Sequence, residues 1–523
     1  MSKSTAASAN PLASEMVRIE PAVVFACAFL FCFAIRVSTL NQNFWEQELV
    51  AGTTIQLDWL GVIRDRLQAG EPPLYYLLLK ALGLGGSSEL TLRLPSAILD
   101  SLGCSIFAWV AWKTSGRVGA AALILTFASM PILIRFGQEA RPYPLLCFLF
   151  ALSIGAATFL WRAPRQTVHA FVGRKAGNHA MLLRCASAVL AVAMIAAGWT
   201  MVIGWLAVLA LQVSVVASPR LLRVRGFLQM WIGLSLIVWL GILPPVIGVA
   251  PHWARFIATF FTADAYAVSP ASILSDLRSI YGWPADGDLN RFFPSALEPW
   301  LGLALVALAL VASVRRNARA PIHQAAFVAL AFPLVLFAAD IARSAVVLRY
   351  IHPSLWCLCL VTADGAAILA RRWAGRAALV VLAVAVLLQG IDGAQAQRKT
   401  SWDPFLRFFE TNGLGSMNGY VTDPALALLV EQSVTPPVPA SRIELDETPD
   451  ALRAALARAS SADAPVWVLT ARPLNRALRD LPQGVASCAG TIGYHSFIVL
   501  ARSFDLLPAD IRNCAQSTPT TGG

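Results

Sequence analysis

The chain alternates long apolar runs with short polar segments over most of its length. An α-helix needs about 20 apolar residues to cross the hydrocarbon core of a bilayer. By that measure the pattern predicts a mainly α, polytopic membrane helical bundle of about eleven spans over residues 1–391. The predicted spans are residues 20–40, 91–112, 118–136, 142–161, 182–199, 201–218, 227–250, 298–314, 323–340, 351–370 and 375–391.

The segment between the first two spans, residues 41–90, has a different pattern. Residues 54–68 place apolar and polar side chains on opposite helical faces, which predicts a helix lying on the membrane surface. The apolar face carries Ile55, Trp59, Leu60, Val62, Ile63 and Leu67, and the polar face carries Asp58, Arg64, Asp65 and Gln68. Residues 72–86 begin with two prolines and are too short to span, so we expect a partly embedded helix there.

The basic residues predict the orientation of the spans. The net charge is +11 at pH 7, with 57% hydrophobic and 14% charged residues. The cations lie in alternate loops between spans, as cytoplasmic loops require, rather than on a surface for nucleic acid. We therefore predict a multi-pass protein of a bacterial inner membrane, with a cytoplasmic N-terminus and a periplasmic C-terminus. The predicted cytoplasmic loops carry Lys113 and Arg117; Arg162, Arg165, Arg174 and Lys175; Arg220, Arg223 and Arg225; Arg315, Arg316 and Arg319; and Arg371, Arg372 and Arg376.

Three polar regions flank the spans. Residues 1–19 precede a long apolar run and do not have the pattern of a cleavable signal peptide. Residues 251–297 form a long outer loop. Residues 392–523 contain the strand-like runs GYVTD, PVWVLTA and HSFIVLAR and helix-like segments at 424–431, 450–459 and 474–480, which predict an extracytoplasmic α/β domain. Cys488 and Cys514 would form a disulfide there only in an oxidising compartment.

Side chains suited to chemistry gather at three places on the predicted outer side. The first outer loop combines carboxylates with aromatic rings: Glu46, Glu48, Glu71, Trp45, Tyr75 and Tyr76. The turn after the third span carries Gln138, Glu139, Arg141 and Tyr143, and an arginine at the membrane surface suits a phosphate. The segment before the tenth span carries Arg343, Arg349, Tyr350 and His352. Interfacial anchoring by Arg and Tyr explains the last cluster equally well.

Four segments carry a resemblance to a known family: W-E-Q-E at 45–48, E-P-P-L-Y-Y-L-L-L at 71–79, S-E-L-T-L-R-L-P-S-A at 88–97 and G-Q-E-A-R-P-Y at 137–143. In this order they resemble the GT-C superfamily of membrane glycosyltransferases. The closest similarity is to the bacterial branch related to protein O-mannosyltransferases and the lipid A aminoarabinose transferase. The resemblance covers roughly the first 160 residues, and the span pattern extends it to about residue 390.

The resemblance implies an inverting transfer of a sugar from a polyprenyl-phosphate donor to an acceptor hydroxyl of a glycolipid, lipopolysaccharide or protein. The family uses an Asp of an Asp-Glu pair as the general base. Here Gln47 stands at the Asp position and Glu48 at the Glu position, and Gln accepts no proton. Glu71 replaces the usual His before Pro-Pro-Leu-Tyr-Tyr. Three hypotheses stay open: Glu48 or Glu46 is the base, Glu71 is the base, or the chain is a non-catalytic binder or flippase-like carrier of lipid-linked sugars.

The resemblance also suggests roles for the other side chains. Arg141 and Arg349, with Tyr350, would bind the donor phosphate. The sugar and acceptor would contact an aromatic platform and nearby polar groups, namely Trp45, Gln47, Tyr75, Tyr76, Gln138, Glu139, Tyr143 and His352. A divalent metal ion between Glu46 or Glu48 and the 137–141 turn is compatible with oxygen ligands, but the spacing does not predict one.

Two carboxylates lie inside predicted spans, Asp100 and Asp364. Charges there are costly and face the protein interior or a partner. Three alternatives explain them: a protonated carboxyl group, a hydroxyl partner that caps it, or a role in helix packing, and the pattern favours packing over chemistry. An ion-coupled transporter would instead need one of them to line a continuous pathway.

Overall fold

The computed structural model describes residues 11–38, 40–41, 46–172, 178–260 and 351–396, with shorter stretches within 304–332 and 409–501. The chain forms two compact units. One comprises Met1–Leu40 and Thr54–Gln397, and the other comprises Asn41–Thr53 and Arg398–Gly523.

The first unit is helical throughout its described part. Its long helices alternate with short ones that lie between the spans. In chain order the helices of the described chain, of which α2 falls mostly in the second unit, are α1 Pro11–Val37, α2 Glu46–Thr54, α3 Trp59–Gln68, α4 Leu74–Ala81, α5 Glu89–Ser129, α6 Pro131–Gly137, α7 Tyr143–Arg162, α8 Pro164–Val172, α9 Asn178–Thr200, α10 Val202–Val213, α11 Pro219–Leu222, α12 Phe227–Phe260, α13 His352–Leu369 and α14 Trp373–Ala396.

Seven helices of the described chain are long and apolar enough to cross a membrane. Because α5 covers two predicted spans, these helices account for eight of the eleven predictions, and a shorter apolar helix at Val202–Val216 accounts for a ninth. The predictions at 298–314 and 323–340 lie largely outside the described residues. The spanning segments are Glu20–Val37, Glu89–Ser129, Tyr143–Arg162, Asn178–Thr200, Phe227–Ala254, His352–Leu369 and Trp373–Ile391.

Helix α5 is a hairpin rather than a straight rod. Gly116 interrupts it with φ 77°, a backbone conformation that glycine adopts without the penalty of a Cβ atom. The Arg36 guanidinium donates to Asp100 Oδ2 and to the carbonyl of Ala128, each at 2.8 Å. In a straight helix those two residues would lie roughly 42 Å apart at 1.5 Å per residue. The two limbs therefore run antiparallel, as separate spans at 91–112 and 118–136 predict.

The second limb ends earlier than the sequence predicts. Residues 118–136 form two helices, because α5 ends at Ser129 and α6 begins at Pro131. Met130 between them is extended, with φ −69° and ψ 111°. A proline disfavours helical backbone in the residue before it and lacks the N–H that would continue the helix. The prediction of one uninterrupted span was wrong here.

The surface helix also begins later than predicted. Helix α3 starts at Trp59 rather than residue 54, because the Asp58 side chain caps it by accepting from the backbone N–H of Gly61. Trp59 and Leu60 are exposed, whereas Val62 is buried. The partly embedded segment 72–86 contains the short helix α4.

Both predicted intramembrane carboxylates have polar partners within the helical unit. Asp100 forms a buried ion pair with Arg36 at the C-terminal end of α1. Asp364 on α13 accepts a hydrogen bond of 2.6 Å from the Ser115 hydroxyl, next to the bend of α5. The hydroxyl partner was among the sequence expectations, but the arginine partner was not. Both contacts join different helices, as a packing role requires.

The second unit contains a five-stranded mixed sheet of order β2-β1-β3-β5-β4. Its strands are β1 Gly419–Val421, β2 Ile443–Leu445, β3 Val466–Thr470, β4 Ala486–Ile492 and β5 His495–Ala501. Strand β1 pairs in parallel with β2 and β3, and β5 pairs antiparallel with β3 and β4. Buried Trp467 packs on the Phe409 ring at 5.1 Å and fills the space above Gly419.

Three of these strands were predicted, namely β1, β3 and β5. Strands β2 and β4 were not. The predicted helices of this domain fall almost entirely outside the described residues, as does Cys514.

Candidate active site

Glu71 joins two of the sequence motifs in the helical unit. It precedes α4, and its Oε1 accepts a 2.9 Å hydrogen bond from Nη2 of Arg141, in the turn between α6 and α7. Its Oε2 accepts from the Tyr76 hydroxyl at 2.5 Å. The E-P-P-L-Y-Y and G-Q-E-A-R-P-Y segments, 70 residues apart at this contact, therefore meet through a charge-assisted pair.

Arg66 is a second cation at this place, and the sequence reasoning missed it. Its Nη1 lies 3.7 Å from Glu71 Oε2, and its guanidinium lies 4.8 Å from the centre of the Tyr76 ring. Asp65 holds the other edge of the guanidinium at 2.8 and 2.6 Å, and Thr54 donates to Asp65 at 2.9 Å. One signal could have found it: Arg66 follows Val62 by four residues and so shares its buried helical face.

The arginines around Glu71 are buried, so their electrostatic interactions with it are strong. The Arg141 and Arg66 side chains are only 5% and 7% exposed. Burial alone would lower the pKa of Arg141, but Glu71 and Tyr76 raise it above the usual value, and the same two groups with Asp65 raise the pKa of Arg66. Burial and then the Glu71 charge raise the pKa of Tyr76 to about 12. At neutral pH the cluster thus presents two fixed positive charges and a protonated phenol.

The turn that holds Arg141 rests on the buried ion pair of the helical unit. A Cβ atom at Gly137 would lie 2.6 Å from Arg36 Nε and 2.7 Å from Asp100 Oδ2, so only glycine fits there. Gln138 and Glu139 are both buried, and Gln138 donates to the Ile35 carbonyl at 3.4 Å. Glu139 lies 3.8 Å from Arg135. Contacts with residues of α1 and α5 therefore hold the G-Q-E-A-R-P-Y motif in place.

An aromatic cluster adjoins the turn. The rings of Phe136, Tyr143 and His352 pack with centroid distances of 4.6 to 5.0 Å. His352 is the first residue of α13 and is buried. This contact brings one member of the third predicted cluster next to the second. Arg343, Arg349 and Tyr350 lie outside the described residues.

The structure is similar to solved GT-C membrane glycosyltransferases. Apo ArnT from Cupriavidus metallidurans matches with a TM-score of 0.51 at 13% identity, over 94% of this chain and 99% of that chain. The apo oligosaccharyltransferase of Archaeoglobus fulgidus matches with a TM-score of 0.51 at 12% identity, over 94% of this chain and 75% of that chain. The chain shares the fold of these two structures. No protein-family model and no curated protein matches the sequence.

Of the other predicted site residues, Glu46, Gln47 and Glu48 belong to α2, and Tyr75 and Tyr76 belong to α4. Glu48 on α2 is buried, in the second compact unit. Trp45 and the side chains of Glu46 and Gln47 lie outside what the structure describes. Tyr75 is buried, with its hydroxyl 2.7 Å from that of Ser96.

Tyr75 and Tyr76 stand edge to face at 5.7 Å. Both rings are buried here. The role of Tyr75 and Tyr76 as an aromatic platform for a sugar therefore stays a prediction. Among the described residues, no three His, Cys, Asp or Glu side chains gather as a metal site would need.

Proposed function

We propose that the chain is an inverting glycosyltransferase that moves a sugar from a polyprenyl-phosphate donor to an acceptor hydroxyl. The acceptor class is a glycolipid, lipopolysaccharide or protein, and the reaction takes place at the periplasmic face of the inner membrane. The observation that carries the proposal is the convergence of buried Arg66 and Arg141 on a single anionic group, Glu71, beside the motif turn. A phosphate offers the same acceptor geometry to arginine as a carboxylate does. The GT-C fold supports the same conclusion.

The reaction assigns a role to each group. A carboxylate of the first loop takes the proton of the acceptor hydroxyl, whose oxygen then bonds to the anomeric carbon as the bond to the phosphate oxygen breaks. The polyprenyl phosphate leaves with the electron pair of that bond. Arg141 stabilises the negative charge that develops on it, and Arg349 and Tyr350 are proposed to assist. We propose Glu48 as the base, with Glu46 as its neighbour, because Glu48 stands at the Glu position of the W-E-Q-E segment.

A second candidate function has its own supporting observation. Gln47 stands where the family has its base, and Glu71 neutralises Arg141 in this structure. A binder or flippase-like carrier would keep the donor site without transferring the sugar. The two functions differ in a single measurable product, the glycosylated acceptor.

Separate replacement of the candidate bases tests the proposal. Glu48→Gln, Glu46→Gln and Glu71→Gln are compared in a membrane assay that follows transfer of a radiolabelled sugar from its polyprenyl-phosphate donor. Loss of a general base lowers the rate about 10²- to 10⁴-fold, and we expect that loss in Glu48→Gln. Glu20→Gln is the matched control, since Glu20 pairs with Arg117 next to the Gly116 bend of α5 rather than with a residue of the candidate site. A loss confined to Glu71→Gln would move the base to Glu71, and no loss in any variant would exclude a base in this loop. No glycosylated product from the wild type would leave the carrier function.

A further inference from the structure

We propose that Glu71 holds the place of the donor phosphate in this structure, and that Arg66 is the second cation that binds this phosphate once Glu71 swings away. This inference rests on the proposed function and deepens it. It makes Glu71 an internal competitor of the substrate, and it adds Arg66 to Arg141 as a donor-binding residue.

The contacts of Glu71 are those that a phosphate would need. One carboxylate oxygen receives Arg141 and the other receives Tyr76, with Arg66 Nη1 at 3.7 Å. Two guanidinium groups and a phenol are an ample donor set for one anion and suit the oxygens of a phosphate. Glu71 accepts a hydrogen bond from Arg141 but lies only at ion-pair distance, 3.7 Å, from Arg66 Nη1, whereas a larger tetrahedral anion would reach both cations.

Arg66 is held in place independently of Glu71. Its Nε and Nη2 are occupied by Asp65, which Thr54 fixes in turn. The remaining nitrogen, Nη1, is the one that faces Glu71. When the glutamate leaves, Arg66 therefore keeps its position and its Nη1 faces the incoming anion.

Glu71 is more exposed than the two arginines, as its displacement by another anion requires. The Glu71 side chain is 23% exposed, whereas Arg66 and Arg141 are 7% and 5% exposed. An anion that approaches from the open side meets the carboxylate first. Rotation of one side chain outward uncovers both guanidinium groups and leaves Glu71 in water, where its charge is well solvated.

The test measures binding without acceptor, on the purified full-length chain in nanodiscs. The ligands are undecaprenyl monophosphate, undecaprenol without phosphate, and inorganic phosphate. The variants are Glu71→Gln, Arg66→Gln and the control Arg64→Gln, an exposed arginine on the same helix. We expect Glu71→Gln to bind undecaprenyl monophosphate about 10-fold tighter than the wild type and Arg66→Gln about 10-fold weaker, each a change of about 1.4 kcal/mol in binding free energy. Arg64→Gln should bind like the wild type.

Each other outcome counts against the inference. Unchanged or weaker binding by Glu71→Gln, or unchanged binding by Arg66→Gln, would overturn it. The same order of variants with inorganic phosphate but not with the lipid would overturn the assignment to a lipid-linked donor. Glu71→Asp keeps the charge but shortens the side chain, so it should also bind more tightly, and it replaces Glu71→Gln if that variant elutes as aggregate.

The transfer assay separates this inference from the proposed function. If the variants bind in the expected order but the wild type forms no glycosylated product, the proposed function fails and the phosphate site stands. If the wild type transfers sugar but neither Glu71 variant binds the donor more tightly, the function stands and the competitor role of Glu71 is wrong.

Discussion

Arg36 and Asp100 illustrate how single residues set the geometry of the site from below. The pair is buried, and Arg36 also donates to the carbonyls of Phe127 and Ala128, near the end of the second limb of α5. Such helix ends leave carbonyl groups without intrahelical partners. One side chain thus neutralises a carboxylate, satisfies a helix end and supports Gly137 of the motif turn.

Removal of one member of this pair should cost more than removal of both. Arg36→Met leaves a buried carboxylate without its cation, a change that costs about 3–5 kcal/mol in buried pairs. Arg36→Met/Asp100→Leu removes both charges and should recover most of that loss. Thermal unfolding of the purified variants in detergent measures the difference, with Arg117→Gln, which breaks an exposed pair, as the control. Equal losses in the single and double variants would mean that Asp100 carries no charge that needs Arg36.

The residues that sequence patterns find and those they miss differ for a physical reason. Glu71, Tyr76 and Arg141 all belong to motifs that the sequence identifies, although the motifs do not predict that these three side chains meet. Arg36 and Arg66 belong to no such motif, and each lies in a helix whose pattern gives no sign of a charged partner. A buried charge is recognised only when its partner is known, and the partners come from distant parts of the chain.

At the scale of elements, the bend at Gly116 decides whether residues 89–129 form one helix or two. Hydropathy predicts two spans there with a basic loop between them, and the structure confirms this with a left-handed glycine. The break at Pro131 escapes hydropathy, because the residues on both sides of it are apolar. The backbone restrictions of proline predict the break, whereas a count of apolar residues does not.

The Gly116 bend makes a prediction about stability with a matched control. Gly116→Ala places a Cβ atom in a φ/ψ region that is essentially limited to glycine, which costs about 1–3 kcal/mol. Gly233→Ala, inside α12, replaces a helical glycine and should stabilise by up to about 1 kcal/mol. A Cβ atom at either position has no neighbour within 4 Å, so clashes do not contribute. Thermal unfolding in detergent should shift in opposite directions, and a stabilising Gly116→Ala would contradict the assigned backbone conformation.

At the scale of the whole molecule, the motifs at the start of the chain and the overall fold agree. The similarity to ArnT extends over 94% of this chain, although the motif resemblance covers only about its first third. The order of the spans can be predicted from the sequence because each helix needs a similar number of apolar residues to cross the bilayer. The strands of the C-terminal sheet are harder to predict from the sequence. Strands β1, β3 and β5 are apolar runs, whereas β2 and β4 contain polar residues such as Glu444, Ser487 and Thr491.

The orientation of the molecule is the last property that the sequence predicts and an experiment can decide. The predicted cytoplasmic loops are basic, and Glu20, an acidic exception near the N-terminus, pairs with Arg117 of the first of them. An alkaline phosphatase fused after residue 400 should be active, because that enzyme needs the periplasm, and a green fluorescent protein fused there should be dark. Fusions after residue 165 should give the opposite result. Reversed signals at both positions would place the outer loops in the cytoplasm, and with them the proposed site of sugar transfer.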